Sequence, residues 1–155
     1  MQNRKIMTAL LLIILVPNMP GQQQQRSVLL PADEVRAVSN RYSRERSDKI
    51  TGSWQPTKGD LDGLEANLPQ ISKLEIYGWD SKIHIDQPDK YFRQYVAVLV
   101  GGKKKIFVSA FCDQEPPPDW HDRLFLVIDG ATCYWQALYD PLTQMFSNLR
   151  INARA

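Results

Sequence analysis

Tyr91–Cys112, with the sequence YFRQYVAVLVGGKKKIFVSAFC, is the stretch that decides the fold. Two runs rich in Val, Ile, Phe and Tyr flank the pair Gly101-Gly102, and a glycine pair in that position is typical of a tight hairpin turn. The stretch therefore predicts a long antiparallel hairpin, with one strand from Tyr91 to Val100 and the next from Lys104 to Cys112.

Both faces of this hairpin are apolar, because side chains alternate between the faces of a strand. One face carries Ala97, Leu99, Ile106, Val108, Ala110 and Cys112, and the other carries Phe92, Val96, Val98, Phe107 and Phe111. Two apolar faces need two covers. We expect helices on the first; the second is covered by a loop, the polypeptide before Leu30, a second subunit of a homodimer or a ligand, unless the sheet curls on itself. Phe92, Phe107 and Phe111 are therefore the candidate ligand-binding residues.

Further strands are expected on both sides of this hairpin. Short alternating runs lie at Lys73–Ile76 and Lys82–Asp86. After a loop that contains Pro116-Pro117-Pro118, the turn dipeptide Asp129-Gly130 indicates a second hairpin between Arg123–Ile128 and Thr132–Tyr139, and Met145–Asn152 reads as a last strand.

Two helices are predicted upstream. Pro31-Ala32-Asp33-Glu34 has the composition of a helix start, and Val35, Val38 and Tyr42 follow at helical spacing. A second helix runs from Thr57 or Asp60 to about Leu68, where Pro69 ends it. The predicted class is α+β, with the N-terminal helices packed on one face of a curved antiparallel sheet of about four to five strands.

The N-terminus has the layout of a secretory signal peptide. Arg4 and Lys5 precede the apolar run Ile6–Val16, which is about half of the roughly 20 residues that a membrane-spanning helix needs. We therefore expect residues 1–25 to be a signal peptide and polar linker, and residues 26–155 to be a single α+β domain. This predicts a periplasmic or secreted protein without a transmembrane span after processing.

The net charge of the chain gives no reason to expect nucleic acid as a partner. The chain has 19 basic and 17 acidic residues, and removal of Arg4 and Lys5 with the leader leaves a mature chain of zero formal charge. A neutral domain gives no global argument for binding nucleic acid, so none is predicted.

The two cysteines, Cys112 and Cys133, lie in an oxidising compartment if the protein is exported, which favours a disulfide. Sequential pairing of the predicted strands argues against it, because the strand at 123–128 would separate the two cysteines by roughly 9 to 10 Å. Both outcomes are left open by the sequence.

Catalytic residue types are sparse in this chain. The best candidates are Asp119, His121 and Asp122, in the acidic loop at 113–122. Neither histidine has neighbours at a recognised metal-ligand spacing, so no metal site and no cofactor are predicted. Three consecutive prolines favour an extended connector, and we expect the acidic side chains not to converge.

Several short motifs carry a family resemblance. These are Trp54-Gln55-Pro56, Arg93-Gln94-Tyr95 before Gly101-Gly102, Val108-Ser109-Ala110-Phe111, Asp129-Gly130, and Tyr139-Asp140 before Phe146-Ser147-Asn148-Leu149. Together they resemble a group of uncharacterised exported bacterial proteins. The resemblance implies an envelope context and a small α+β fold, and it implies no activity.

Two classes of function remain open from the sequence. The favoured one is an exported, non-enzymatic module that binds a protein or small ligand through a sheet face or a helix-sheet groove, because apolar surface is present without a catalytic set. The alternative is a small hydrolase or metal-dependent enzyme that uses the loop at 113–122.

Overall fold

The computed structural model describes residues 25–42, 49–76, 83–127 and 129–152. Within these ranges, six strands form one sheet and two short α-helices pack against it: β1 (Ser27–Leu29), α1 (Val35–Tyr42), β2 (Ile50–Ser53), α2 (Lys58–Asn67), β3 (Phe92–Val100), β4 (Lys103–Phe111), β5 (Tyr134–Asp140) and β6 (Met145–Ile151). The predicted signal peptide lies outside the described residues.

The central hairpin is confirmed. β3 and β4 pair antiparallel from Phe92↔Phe111 to Val100↔Lys103. Gly101 and Gly102 have φ values of 56° and 76°, which is the left-handed conformation that a two-residue type I′ turn requires at both central positions.

The α+β class is also confirmed, but a purely antiparallel sheet of four to five strands was wrong. The strand order is β1-β3-β4-β5-β6, and β2 also pairs with β3. β1 runs parallel to one end of β3, whereas β2 runs antiparallel to its other end. These two strands have only three and four residues, which is too short for alternation to reveal them.

The predicted second helix is confirmed as α2, and its start has a clear local cause. Thr57 and Asp60 form a capping box, in which the Asp60 carboxylate accepts hydrogen bonds from the Thr57 backbone N–H and hydroxyl, both at 2.7 Å. These hydrogen bonds from Thr57 lower the pKa of Asp60. Pro69 lies at the start of a 3₁₀ helix, Leu68–Lys73, that continues the chain beyond α2.

The two helices pack on opposite faces of the sheet, so the prediction that they share one face was wrong. On the first face, Leu64, Leu68 and Ile71 join a core with the sheet residues Tyr95, Ile106, Val108, Ala110, Trp135, Ala137 and Tyr139. On the second face, Val38 of α1 and Leu30 join Val96, Val98, Val100, Phe107 and Leu138. Because both faces of β3 and β4 are apolar, each helix covers one of them.

The predicted second hairpin was wrong for the described residues, since β5 pairs with β4 and β6 rather than with residues 123–127, while Ile128 lies outside the described part of the chain. Instead, the segment at 120–127 lies over the second face, where sheet side chains bind its backbone. Gln94 Nε2 donates to the carbonyl oxygens of Trp120 and Arg123, both at 2.6 Å, and Gln94 Oε1 accepts from the Phe125 N–H at 2.7 Å. Ser109 Oγ donates to the Phe125 carbonyl at 3.1 Å.

The short strands expected at 73–76 and 82–86 were wrong for the residues that are described, while Lys82 lies outside them. Ile76 and Ile85 are buried in the core of the first face, at 4% and 0% exposure, without joining the sheet. Their alternation reflects side-chain packing rather than strand pairing.

Cys112 and Cys133 form a disulfide, with Cα atoms 5.0 Å apart. The geometric argument against it was wrong, because no strand lies between β4 and β5. The last pair of that ladder, Phe111↔Tyr134, places the two cysteines beside each other, and the Cys112 N–H donates to the Cys133 carbonyl at 3.0 Å.

The outer edge of β6 is partly occupied by Gln70. Its Nε2 donates to the Gln144 carbonyl at 3.0 Å, and its Oε1 accepts from the Phe146 N–H at 3.0 Å. Further along, the ladder shifts register opposite Ala137, and Asn148 takes a left-handed φ of 61°. This arrangement is a β-bulge, with Asn148 and Leu149 opposite one residue of β5.

Candidate functional site

A pocket of about 390 Å³ opens between α2 and the short 3₁₀ helix Pro88–Lys90. We call it the α2 pocket. One wall comes from α2 and the turn after it, with Glu65, Ala66, Leu68, Pro69 and Ser72; the other comes from Gln87, Pro88 and Asp89. Its volume lies within the range of small-molecule sites, and its walls combine apolar side chains with a few polar groups, as such sites do.

Glu65 is held at the wall of this pocket by two buried donors from β3. Its Oε1 accepts a 2.6 Å hydrogen bond from the Tyr95 hydroxyl, and its Oε2 accepts a 3.2 Å charge-assisted bond from Arg93 Nη2. Tyr95 and Arg93 are only 2% and 5% exposed, whereas the Glu65 side chain is 35% exposed. The carboxylate is therefore held by two buried side chains, while the Glu65 side chain as a whole stays partly exposed in the pocket wall.

Arg93 also binds the opposite wall of the pocket. Its Nη1 donates to the backbone carbonyls of Tyr91, Asp89 and Pro88, at 2.6, 2.9 and 3.3 Å. One guanidinium therefore connects α2, through Glu65, to the segment at 88–91. The five donors of an arginine make this kind of multiple contact possible, and a lysine could not reproduce it.

The local backbone explains how the second wall approaches the first. Gln87 has a left-handed conformation, with φ 48° and ψ 59°, and Pro88 follows it at the first position of the 3₁₀ helix. The left-handed residue redirects the chain, and the fixed φ of proline suits a helical first turn. Asp89 is thereby placed in the pocket wall, with its carbonyl bound to Arg93.

Burial fixes the protonation state of the tyrosine. It raises the pKa of the Tyr95 hydroxyl far above its ordinary value, and the neighbouring Arg93 offsets this only in part. Tyr95 is therefore protonated at any physiological pH and acts as a permanent donor to Glu65. The two donors, Tyr95 and Arg93, therefore hold the carboxylate in one orientation.

The candidate catalytic residues are not assembled into a site. Asp119, His121 and Asp122 are all exposed, and the contacts among this stretch are backbone turns, in which the N–H groups of Asp122 and Arg123 donate to the Asp119 carbonyl at 3.0 Å. The His121 ring packs edge-on against Trp120, with ring centroids 4.5 Å apart. Among the described residues, no group of three or more His, Cys, Asp or Glu could hold a metal ion.

The candidate ligand-binding residues Phe92, Phe107 and Phe111 are at most 5% exposed. Trp120 packs edge-on against Phe92 and Phe111, at centroid distances of 5.5 and 6.3 Å. Of the covers that the sequence left open, the loop at 113–127 and the polypeptide before Leu30 both contribute, alongside α1. The three rings form core, so a ligand has no exposed ring surface to contact there.

Glu65, Arg93 and Tyr95 were missed by sequence reasoning. Glu65 follows the apolar Leu64 of a helix like any solvated acid, and nothing in its neighbourhood marks it. A signal existed in β3, where Arg93 and Gln94 interrupt an otherwise apolar run. Two consecutive polar residues in such a strand point to opposite faces, so each one needs a buried partner.

Comparison of the chain with protein-family models, with curated proteins and with solved structures finds no match. The resemblance to exported bacterial proteins therefore stays a prediction. No helix in the described ranges has the length and apolarity needed to cross a membrane.

Proposed function

We propose that this protein is an exported, non-enzymatic module that binds a small ligand in the α2 pocket, a groove between α2 with the turn after it and the segment at 87–89. The observation that carries the proposal is the Glu65 carboxylate, which two buried side chains hold in place and which belongs to a residue of the pocket lining. A polar group held in advance loses little conformational entropy when a ligand binds, and this favours recognition.

The energetic cost of this arrangement supports a role in binding. Burial of the Arg93 guanidinium is costly unless it is paired and fully hydrogen-bonded, and an apolar residue would fill the same space in β3 more cheaply. The Arg93 guanidinium donates five hydrogen bonds, to Glu65, to the Tyr95 hydroxyl and to three backbone carbonyls. The contacts to Glu65, Pro88 and Asp89 join the two walls of the pocket, so we assign the buried charge to maintaining the pocket's shape.

Export is supported by the leader-like N-terminus and is compatible with the disulfide between Cys112 and Cys133. In this proposal the mature domain works in the periplasm or after secretion. Intact-mass measurement of the protein from an exporting cell should give an N-terminus between about Pro20 and Arg26. Recovery of a membrane-held product that retains Met1 would contradict export.

Filling the pocket tests the binding function. Ala66 is exposed and lines the pocket, so Ala66→Phe should obstruct it without disturbing the core. We expect a fragment library followed by ligand-observed NMR to give hits on the native protein that Ala66→Phe weakens by at least about tenfold. Ser147→Phe, at an exposed position of β6 outside the pocket, is the matched control. Hits that bind both variants equally would place binding elsewhere and contradict the proposal.

A further inference from the structure

We infer that the ligand of the α2 pocket is a small organic cation, with an ammonium or amidinium group bound by Glu65 and an apolar body against the walls. This inference rests on the proposed function and names its ligand class. It follows from which charges the pocket exposes, which charge is buried, and which side chains form the rest of the lining.

The pocket exposes negative charge only. Glu65 and Asp89 are in the lining, and none of the described lining residues is a lysine, arginine or histidine. Arg93 is 5% exposed, is not a lining residue, and is ion-paired with Glu65. An anionic group entering the pocket would be repelled by the carboxylates of Glu65 and Asp89.

The Glu65 carboxylate has acceptor capacity left for a ligand. An ionised carboxylate offers about four lone-pair positions, and Arg93 and Tyr95 use one on each oxygen. The Glu65 side chain is 35% exposed, so it is only partly covered by the protein. Because Arg93 offsets one of the two carboxylate charges, Glu65 and Asp89 together leave about one negative charge for the ligand to balance.

The remaining lining favours an apolar body of modest size. Ala66, Leu68, Pro69 and Pro88 supply hydrocarbon surface, and the volume of about 390 Å³ admits a molecule of fragment size or somewhat larger. Ser72 and Gln87 add neutral polar groups at the lining. A bare metal ion is a poor match for this surface, because carboxylates from at least three ligating residues do not converge in the described part of the chain.

Three matched probes test the inference: phenethylammonium, 2-phenylethanol and 3-phenylpropanoate share an apolar ring and differ in the charge of the polar group. We expect ligand-observed NMR to give a dissociation constant for the cation at least about tenfold lower than for the alcohol, with still weaker binding of the anion. Glu65→Gln should remove the preference for the cation over the alcohol. Asp89→Asn, at an exposed position, should reduce that preference without any risk to the core, and Asp86→Asn is the control outside the pocket.

The outcomes separate the two claims. Binding of the alcohol or the anion as tightly as the cation, when Ala66→Phe weakens it, would overturn the cation inference and leave the pocket as a binding site. Binding of the cation that Asp89→Asn and Glu65→Gln leave unchanged would also overturn the inference. No binding of any probe or library fragment to the pocket would overturn both.

Discussion

Arg93 and Gln94 are neighbours on β3, both are buried, and they point to opposite faces of the sheet. Gln94 is 0% exposed, and its side-chain amide makes three hydrogen bonds to the backbone of the loop at 120–125. Arg93 binds backbone as well, but it also binds the partly exposed carboxylate of Glu65 at an open pocket.

The difference between the two residues shows how a buried polar side chain that only supports the fold can be told from one that also supports a candidate site. Gln94 is neutral and buried, and its amide group hydrogen-bonds the backbone of the loop at 120–125. These bonds satisfy backbone groups of the loop as a pairing strand would. Arg93 is charged, and its ion-pair partner faces solvent across a cavity. The Arg93 face therefore carries the proposed site, whereas the Gln94 face carries a loop that Gln94 holds in place.

Trp135 gives the largest expected effect and tests whether apolar packing stabilises the Arg93 face. It is 0% exposed, and its indole N–H has no hydrogen-bond partner among the described residues. Trp135→Ala should lower the free energy of unfolding by about 3–5 kcal/mol in chemical denaturation. Trp135→Phe should cost less, because it keeps an aromatic ring and removes the unpaired N–H. A loss under about 1 kcal/mol for the alanine variant would contradict this.

The disulfide tests the Gln94 face, since its loop lies between the two cysteines. Replacing both Cys112 and Cys133 with Ser should lower the free energy of unfolding by about 3 kcal/mol, because the bridge spans 21 residues. Hydrogen exchange should show the loss of protection mainly within residues 113–127, with α2 less affected. Equal loss at α2 would show that the two faces are not independent.

Gln94→Leu sharpens the comparison at a single residue. It leaves the Trp120 and Arg123 carbonyls and the Phe125 N–H without their amide partner, which should cost about 2 kcal/mol. The Phe125 amide should exchange faster, while binding in the α2 pocket stays unchanged. Gln55→Leu, at an exposed position, is the control. An unchanged hydrogen-exchange rate at the Phe125 amide in Gln94→Leu would contradict the role of Gln94 in holding the loop.

The smallest expected effect comes from Asp140. Its ion pair with Lys105 joins β4 to β5, and unlike the Arg93–Glu65 pair it has no residue in the lining of the α2 pocket. Burial alone would raise the pKa of Asp140, but hydrogen bonds from Lys105 and the Leu142 N–H lower it below its ordinary 3.8. Its contribution to stability is therefore complete above about pH 3.8 and is lost as the pH falls through the lowered value. Denaturation at about pH 6 and pH 3 should show a smaller acid loss for Asp140→Asn than for the native protein. The same acid loss in both would contradict this.

The sequence predicted the elements whose causes are local. Gly101 and Gly102 specify the β3–β4 turn, and Thr57 with Asp60 specifies the start of α2, because in each case neighbouring residues make the decisive contacts. The segment Leu124–Val127 could not be placed in this way. It has the composition of a strand, but its backbone partners are side chains of Gln94, Ser109 and Asn152, which are 16 or more residues away.

The candidate site was beyond sequence reasoning for the same reason. Glu65 and Arg93 are 28 residues apart, and their contact depends on α2 lying across the first face of the sheet. The sequence offered two apolar faces, but it did not show that α1 and α2 would cover different ones. The acidic residues and His121 lie close together along the sequence of the loop at 113–122. Closeness in sequence does not bring their side chains together in space.

The Gln70 contacts at the edge of β6 lower the tendency of copies of this protein to aggregate through that edge. A strand edge with free N–H and C=O groups is a template on which another chain can add a strand. Gln70 occupies one donor and one acceptor of that edge, and the bulge at Asn148 and Leu149 breaks the regular spacing that an incoming strand would need. Gln70→Ala should therefore expose a template and promote aggregation.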